Sequence, residues 1–422
     1  MQLNKSTLKQ VDLLGQGGAL ASPLCERVKV NVIDALMGQG KTSWAIQMIN
    51  EQPEQKFIYV TPYLAEVARI KAACPLAKFY EPQQEGRGKL DSFHALLAEG
   101  ESIVTTHALF SSVTEETRQL LEANGYILVL DEVMDVLQDE PLKKDDLRTI
   151  LSNGFAHVED DGCLVWDDSL YDGRFNDIKT KAANRSLYLV NGCLLMWTFP
   201  VSIFHCFKEI FILTYMFHAQ IQSYYFKMND VQFDMLRVYQ DGERYEVKEH
   251  DGTLDDVSHL QIDIYDGKLN DIGKAKTALS KTWYLRASKE KLVELKNNTY
   301  NFFRNVCKSP GALNLWTTFK DYKSKIGGKG YASGFVSSNM RASNEYKDRN
   351  TVVYLCNKYF RPSVKGFFND HGVEVNEDAY ALSEMVQFLF RAAIRQGKPI
   401  RLYVPSKRMR DLLQSWLAQG RC

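Results

Sequence analysis

Residues 35–42 read ALMGQGKT and join an apolar run, Val30–Ala35, to an amphipathic stretch, Trp44–Asn50. A strand, a glycine-containing loop that ends in Gly-Lys-Thr, and a helix are in this order typical of a phosphate-binding loop. Glycines allow the backbone N–H groups to turn inward on phosphate oxygens, and the helix N-terminus adds partial positive charge. The stretch therefore predicts an α/β fold with a nucleotide site at the end of its first strand.

The residues of this loop are predicted to have distinct roles. Lys41 would reach the β- and γ-phosphates of ATP, and the hydroxyl group of Thr42 would ligate Mg²⁺. Ala35 stands where the generic pattern has its first glycine, and the alternative is a chance glycine-rich turn. The residues predicted to bind the nucleotide are Gly38, Gln39, Gly40, Lys41, Thr42 and Ser43.

A second element, 90 residues after Lys41, supplies carboxylates. The apolar run 126–130 is followed by Asp131 and Glu132, and ligands bind at the C-terminal ends of strands in open parallel sheets. Asp131 would hold the magnesium ion, and Glu132 would position and activate the attacking water. An Asp-Glu pair at a solvated strand end is the alternative, but the phosphate-binding loop upstream favours nucleoside triphosphate hydrolysis.

Short apolar runs alternate with amphipathic stretches from Lys29 to about Tyr225, a pattern typical of a parallel sheet with crossover helices. The predicted strands are Val30–Ala35, Phe57–Thr61, Ser102–Thr105, Ile127–Leu130 and Ile210–Thr214. The predicted helices between them are Trp44–Asn50, Leu64–Ala73 and Glu115–Asn124.

The chain has 422 residues, more than a single hydrophobic core usually accommodates. We predict an N-terminal nucleotide-binding domain at 1–225, a polar and partly β insertion at 226–288, and a second α/β domain at 289–422. The second domain is predicted to contain a helix at Lys289–Val306, strands at Leu313–Thr318, Val352–Leu355 and Ile400–Val404, and a long helix at Ala379–Arg395.

The net charge is zero, with 52 basic and 52 acidic side chains, so bulk electrostatics do not favour a nucleic-acid or membrane partner. Local patches can still bind phosphates. The run from Arg391 to Arg410 has seven basic residues and no acidic one, and the run from Lys320 to Arg349 has seven basic and three acidic residues. These runs predict a local polyanion site, with a solvated basic surface as the alternative.

Eight cysteines are widely spaced, without a C-x-x-C pair or a histidine at zinc spacing. We interpret them as reduced thiols of a cytoplasmic protein. The N-terminus lacks the layout of a signal peptide, and Pro200, Lys208 and Glu209 interrupt the most apolar stretch. No membrane partner is therefore expected.

The segment from Gln387 to Arg395 carries the signal for a specific class of ATPase. On a continuous helix, Gln387, Arg391 and Arg395 lie on one face at i, i+4 and i+8. An arginine brought to the γ-phosphate from a second domain stabilises the charge of phosphoryl transfer and makes hydrolysis depend on domain closure. A solvated charged stripe is the alternative interpretation.

The order of these blocks resembles that of superfamily-two helicases, the DEAD/DEAH-like motor ATPases, and is most similar to phage-encoded and herpesvirus origin-binding helicases. Motif II resembles 131–134, and motif III resembles 213–215, where Tyr215 replaces a small residue. In motif VI the two arginines are four residues apart rather than three, and Arg395 is favoured over Arg391 as the arginine finger by position. The other blocks are motif I at 35–42, Ia at 59–62, Ib at 105–107, IV at 315–319, V at 341–344 and VI at 387–395.

The resemblance implies two RecA-like parallel-sheet domains with ATP in the cleft between them and a single nucleic-acid strand across both. The nucleic-acid contacts that it implies are Thr61, Pro62, Thr106, Thr317, Thr318 and Asn344. The expected function is an ATP-dependent helicase or translocase that acts on single-stranded or forked nucleic acid, DNA in preference to RNA, in phage replication or recombination. It implies replication or recombination proteins as further partners.

Two other classes of protein remain open at this stage. A terminase-like packaging motor has a phosphate-binding loop but also a nuclease half, which needs clustered acidic residues to hold two metal ions. The acidic residues of the second half, such as Asp255, Asp256, Asp263 and Asp266, lie mostly in the polar insertion, and this class does not explain Gln387–Arg395. An inactive RecA-like binding module is the third class.

Overall fold

In the computed structural model, most strands belong to two parallel sheets connected by helices. The structure describes residues 28–84, 88–253, 255–338 and 344–419. The strands are β1 (Lys29–Asp34), β2 (Phe57–Thr61), β3 (Ile103–Thr106), β4 (Ile127–Asp131), β5 (Leu137–Asp139), β6 (Ala156–Val158), β7 (Leu164–Trp166), β8 (Leu187–Val190), β9 (Leu194–Thr198), β10 (Glu209–Thr214), β11 (Asp234–Asp241), β12 (Arg244–Glu249), β13 (Ile262–Ile264), β14 (Asn314–Thr317), β15 (Thr351–Tyr354) and β16 (Ile400–Tyr403).

The helices connect these strands and cover the faces of the sheets. They are α1 (Lys41–Glu51), α2 (Leu64–Ala73), α3 (Lys89–Glu99), α4 (His107–Phe110), α5 (Glu115–Asn124), α6 (Lys144–Ser152), α7 (Asn176–Ala183), α8 (Val201–Phe204), α9 (Ile221–Met228), α10 (Lys281–Arg286), α11 (Lys289–Asn301), α12 (Lys323–Ile326), α13 (Pro362–Asp370), α14 (Glu377–Leu389) and α15 (Lys407–Gln419). A π-helical turn at 302–306 extends α11, so the predicted helix Lys289–Val306 is helical throughout. In the described part of the chain, no helix is both long and apolar enough to cross a membrane.

The first sheet has seven strands in the order β12-β11-β1-β10-β4-β2-β3, and all neighbours are parallel except β11 and β12. Its central strands are buried on both faces, which explains their continuous apolar sequences. The strand β2 has the predicted bounds, and the other four predicted strands differ by at most one residue at each end. The predicted α/β class is therefore confirmed.

The second sheet has four parallel strands in the order β13-β16-β15-β14. Separate apolar clusters pack on its two faces, one with α14 and α15 and the other with α10, α11 and the 302–306 turn. The three strands predicted here, β14, β15 and β16, are all present. Because both faces are covered by apolar side chains, this sheet also has the layered core of an α/β domain.

The polar segment 226–288 is divided between the two sheets. Its hairpin β11–β12 extends the first sheet beyond β1, whereas β13 forms an edge of the second sheet. The edge strand β12 has no buried residue, which explains why the sequence of this segment is polar although it contains regular strands. The domain boundaries after 225 and 288 stay predictions.

Residues 137–197 lie between β4 and β10 in the sequence and form a unit outside the first sheet. They form two small antiparallel sheets, β5-β9-β8 and β6-β7, with α6 and α7 around a separate apolar cluster. The sequence gives little sign of this unit because its strands have only three to five residues. The first predicted domain thus contains a compact insertion between its fourth and fifth parallel strands.

The predicted helix Ala379–Arg395 is wrong in its last six residues, because α14 ends at Leu389. The amide of Ala393 donates to the carbonyl of Arg349 instead of to the helix, and a short 3-10 helix follows at 393–396. At the other end, the side chain of Asn376 caps the helix by accepting from the amides of residues 378 and 379. Gln387 and Arg395 therefore do not share one helix face.

Candidate active site

The loop between β1 and α1 has the geometry of an anion cradle. Gly38 and Gly40 have φ angles of 92° and 96°, in the left-handed region that favours glycine. The first helical hydrogen bond of α1 runs from the amide of Trp44 to the carbonyl of Gly40 at 2.8 Å. Since Gly40 has no side chain to cap the first-turn amides of α1, these donors can bind an anion.

Lys41 is held inside this loop and is only 9% exposed. Its ammonium group donates to the carbonyl oxygen of Ala35 and, at 3.2 Å, to that of Leu36. Burial lowers the pKa of Lys41, and the nearby Glu132 carboxylate opposes this shift most strongly. An anionic ligand would replace neutral carbonyl partners with a charged one, so the position of Lys41 suits a phosphate.

Asp131 is the last residue of β4, which lies next to β10 in the sheet, and Glu132 follows it. The Tyr59 hydroxyl group donates to Oδ2 of Asp131 at 3.1 Å. Burial raises the pKa of the Asp131 carboxyl to about 6, and the neighbouring Glu132 adds to the shift. The amide of Glu132 donates to the carbonyl of Leu213 at 3.0 Å, and its φ of 77° turns the chain sharply out of the sheet. The two carboxylates are thus presented at the edge where the phosphate loop lies.

These groups surround one cavity of about 280 Å³. The cavity combines the phosphate loop, the end of β4 and a residue from the second half of the chain, Arg395. The backbone oxygen of Arg395 would lie 3.8 Å from a Cβ atom placed on Gly38. The lining residues are Met37, Gly38, Gly40, Lys41, Thr42, Ser43, Thr61, Pro62, Glu66, Arg69, Asp131, Glu132, Tyr245 and Arg395.

Of the residues predicted to bind nucleotide, Gln39 is absent from this lining. Its side-chain oxygen accepts from the amide of Leu36 at 3.2 Å, so in this conformation it stabilises the loop. Thr42 and Asp131, the predicted magnesium ligands, line the same cavity. Hydroxyl and carboxylate oxygens are the ligands that Mg²⁺ prefers, so the donor set fits that ion.

Arg391 and Gln387 are not among the residues that line the cavity. Arg391 is 4% exposed, and its guanidinium group donates to the carbonyls of Ser337 and Ser338 at 3.2 and 3.3 Å. Burial lowers the pKa of Arg391, with Glu384 acting against it. The Nε2 atom of Gln387 is buried and finds no hydrogen-bond partner among the described residues. Of the three predicted residues, Arg395 alone lines the cavity.

Three of the predicted nucleic-acid contacts follow strands of the first sheet. Thr61 is completely buried at the end of β2, and both Thr61 and Pro62 line the cavity described above. Thr106, at the end of β3, is half-buried. The parallel register pairs Thr61 with Thr106, so these residues are neighbours at one edge of the sheet.

The remaining predicted contacts belong to the second sheet. Thr317 and Thr318 are buried at the end of β14, and the Thr318 hydroxyl group donates to that of Tyr284 at 3.0 Å. The Thr318 side chain is therefore used inside the protein in this conformation, whereas the buried Thr317 hydroxyl group finds no hydrogen-bond partner among the described residues. Asn344 begins the 3-10 helix 344–346, and the rest of its motif, 341–343, lies outside the described residues.

The basic run 391–410 is opposed by acidic residues in the folded chain. Several of its members form ion pairs: Lys398 with Asp348, Arg401 with Asp263, Lys407 with Asp411 and Arg408 with Asp378. By contrast, four exposed lysines lie beyond the end of β14, at 320, 323, 325 and 329. The expected basic patch is therefore better represented by 320–329 than by 391–410.

A larger open groove of about 1210 Å³ separates the 137–197 unit from the loops after β2 and β3. Its charged lining is mostly acidic, and its lysine, Lys181, pairs with Glu140 at 2.7 Å. Phosphate groups are repelled by such a surface. The groove is therefore a poor candidate for the nucleotide despite its size.

The acidic residues that a nuclease would need are not gathered in the described ranges. Asp255 pairs with Arg237 at 3.5 Å, and Asp263 pairs with Arg401. The cluster at 159, 161 and 163, the one group of three possible metal ligands among the described residues, already pairs its carboxylates with Arg185. The geometry thus gives no support to a packaging motor with a nuclease half.

The sequence analysis did not name Met37, Glu66 and Arg69 of the cavity lining. It also missed two residues that shape the site, and Asp34 is the first. Its carboxylate accepts from the amides of Met216 and Phe217 at 2.9 and 2.8 Å, and burial raises its pKa. It thereby fixes the turn after β10 beside the phosphate loop. The one sequence signal for this role was that Asp34 is a polar residue at the end of an apolar strand.

The second missed residue is Tyr245 of β12, which lines the cavity. Its main chain contacts the side chain of Gln47 in α1, 198 residues away in sequence. No local pattern indicates such a contact.

The site is also joined to the second sheet directly. Leu36 of the phosphate loop and Tyr215 after β10 pack in the same apolar cluster as residues of β15, β16 and α14. The indole nitrogen of Trp416, in α15, donates to the Tyr215 hydroxyl group at 3.2 Å. The two halves of the chain therefore meet at the candidate site.

This arrangement defines the class of the fold: two RecA-like α/β domains, each with a parallel sheet, similar in fold to solved structures that carry the name XPD. A solved structure named XPD_APO has a TM-score of 0.52 and 12% sequence identity, covering 94% of this chain and 96% of that chain. A structure named XPD_Helicase has a TM-score of 0.45 and 12% identity, covering 94% of this chain and 95% of that one. At this level of identity the likeness concerns the fold alone.

The chain belongs to the YonV family. It is 44% identical over 413 residues to the SPbeta prophage-derived uncharacterized protein YonV of Bacillus subtilis (strain 168), covering 94% of this chain and all of that protein. The family description of a YonV middle domain matches residues 137–197, which are the antiparallel unit between β4 and β10. The description of a YonV C-terminal Rossmann-like domain matches 256–417, which contains the whole second sheet.

Proposed function

We propose that this protein is an ATP-dependent nucleic-acid helicase or translocase. The observation that carries the proposal is the single cavity that combines Lys41, Thr42, Asp131, Glu132 and Arg395. These are the residue types that nucleoside triphosphate hydrolysis requires, and they come from both halves of the chain. A closing movement of the two sheets would complete the site, and reopening would follow hydrolysis.

Each residue would have one role in this reaction. The amides of the α1 N-terminus and Lys41 would bind the phosphates, and Thr42 and Asp131 would hold a magnesium ion, which neutralises charge on the phosphates when bound. Glu132 would orient and deprotonate the attacking water. Arg395 would stabilise the charge that develops in the transition state.

A nucleic-acid substrate is supported by the fold and by surface charge. The fold is similar to that of the solved structure named XPD_APO, the order of the sequence motifs resembles that of superfamily-two helicases, and four exposed lysines lie at 320–329, beyond β14. Lysines in such a position can neutralise backbone phosphates without a basic net charge. The relative is prophage-derived, which supports DNA in phage replication or recombination as the context.

Turnover of ATP by matched variants tests this proposal. We expect Lys41→Ala to lose ATP binding and Glu132→Gln to bind ATP without hydrolysing it. Lys289→Ala, which removes an exposed lysine of α11, is the control and should behave as the unmodified chain. Unchanged turnover in both site variants would refute the assignment.

A further inference from the structure

The ring of Tyr245 forms a wall of the nucleotide cavity at its phosphate loop. A Cβ atom placed on Gly40 would lie 2.1 Å from Cε1 and 2.6 Å from Cδ1 of this ring. The ring thus packs directly on the glycine that precedes Lys41, and it occupies space that any other residue at position 40 would need. Tyr245 is half-buried, so part of the ring remains accessible from the cavity.

The position of this ring is fixed by the phosphate-loop helix itself. The side chain of Gln47 accepts from the amide of Tyr245 at 2.9 Å and donates to its carbonyl at 3.1 Å. The preceding residue, Arg244, forms an ion pair with Glu51, which is also in α1. These contacts attach β12 to α1 at Tyr245 and therefore fix the position of its ring beside the phosphate-binding loop.

The strand order indicates which part of a nucleotide the ring would meet. Asp131 and Glu132 lie at the C-terminal end of β4, two strands from β1 on one side, whereas Tyr245 lies in β12, two strands from β1 on the other. The γ-phosphate must face Glu132, where the attacking water is activated. The nucleoside is attached at the other end of the phosphate chain and therefore extends toward β12.

We infer that Tyr245 is a nucleoside-contacting residue whose ring stacks on the base of the bound nucleotide. This inference rests on the proposed function and adds a specificity-determining residue to it. Aromatic rings bind bases through their π faces, and this half-buried ring belongs to a residue that lines the cavity. Among the described residues that line the cavity, Tyr245 is the one aromatic side chain.

Equilibrium binding of ADP and of inorganic pyrophosphate separates base contact from phosphate contact. We expect Tyr245→Ala and Tyr245→Leu to weaken ADP binding roughly tenfold, the loss of one stacking interaction, and to leave pyrophosphate binding unchanged. Tyr245→Phe keeps the ring and should bind both ligands as the unmodified chain does. Thermal unfolding of each variant checks that the fold is intact, and Leu preserves apolar packing against Gly40.

Two results overturn the inference alone: equal losses for ADP and pyrophosphate, which would make the ring a support for the loop, or full ADP affinity in Tyr245→Leu. Failure of the unmodified chain to bind either ligand would overturn the proposed function and this inference with it. The two failures are therefore distinguishable in one experiment.

Discussion

Arg391 and Arg395 are four residues apart, yet the fold gives them different surroundings. Arg391 is buried and satisfies two backbone carbonyls, whereas Arg395 lines the cavity with Lys41 and Glu132. The spacing of the two arginines could not distinguish them, because it was interpreted on one continuous helix. In the structure α14 ends at Leu389, before both arginines. Position favoured Arg395, and the geometry supports the same choice.

Substitution of these arginines should separate catalysis from stability. Arg395→Ala is expected to lower ATP turnover by about a thousandfold, as for other arginines that act on a γ-phosphate, with little change in thermal unfolding. Arg391→Ala should instead lower the free energy of unfolding by about 3 kcal/mol, because it leaves buried carbonyls without donors. Turnover and denaturant unfolding measured on both variants check this. The reverse pattern would contradict the assignment of Arg395.

At the scale of elements, the parallel strands were predictable and the contacts around them were not. The strands β2, β4 and β10 are buried on both faces, so their sequences are continuous apolar runs. The end of α14 depends on a hydrogen bond from Ala393 to Arg349, and the place of β12 depends on contacts with α1. Such long-range partners leave no trace in local periodicity.

The turn after β10 is the element through which Asp34 acts. Asp34→Ala should remove the acceptor of two amides and lower the free energy of unfolding by about 2 kcal/mol, with a clear loss of ATP turnover. Asp34→Asn keeps one acceptor oxygen and should show a smaller loss of both. Denaturant unfolding with parallel turnover assays measures these effects. Equal behaviour of the two variants and the unmodified chain would show that the turn does not need Asp34.

At the scale of the whole molecule, the Tyr215–Trp416 hydrogen bond joins the site to α15. A double-mutant cycle should detect it. Tyr215→Phe and Trp416→Phe should each cost about 1 kcal/mol of unfolding free energy, and the double variant should cost less than their sum, because both remove the same bond. Strictly additive losses would mean that the contact contributes nothing to the attachment of the two halves.

Charge is also organised at this scale. The sequence suggested an unopposed basic run at 391–410, but acidic residues from distant segments pair with Lys398, Arg401 and Arg408. The linear sequence could not show these three partners because the fold brings them together. The exposed lysines at 320–329 are therefore the better candidate for a phosphate-binding surface. Their replacement by alanine should weaken the binding of single-stranded DNA, and the loss should be largest at low salt.

The rate of ATP hydrolysis with and without single-stranded DNA, at a stated salt concentration, tests the central claim most directly. Hydrolysis by the unmodified chain should rise when single-stranded DNA is added, and the stimulation should fall as salt increases. Lys41→Ala should be inactive under both conditions, with Lys289→Ala as its matched control. Absence of hydrolysis, or hydrolysis that nucleic acid does not change, would contradict the account.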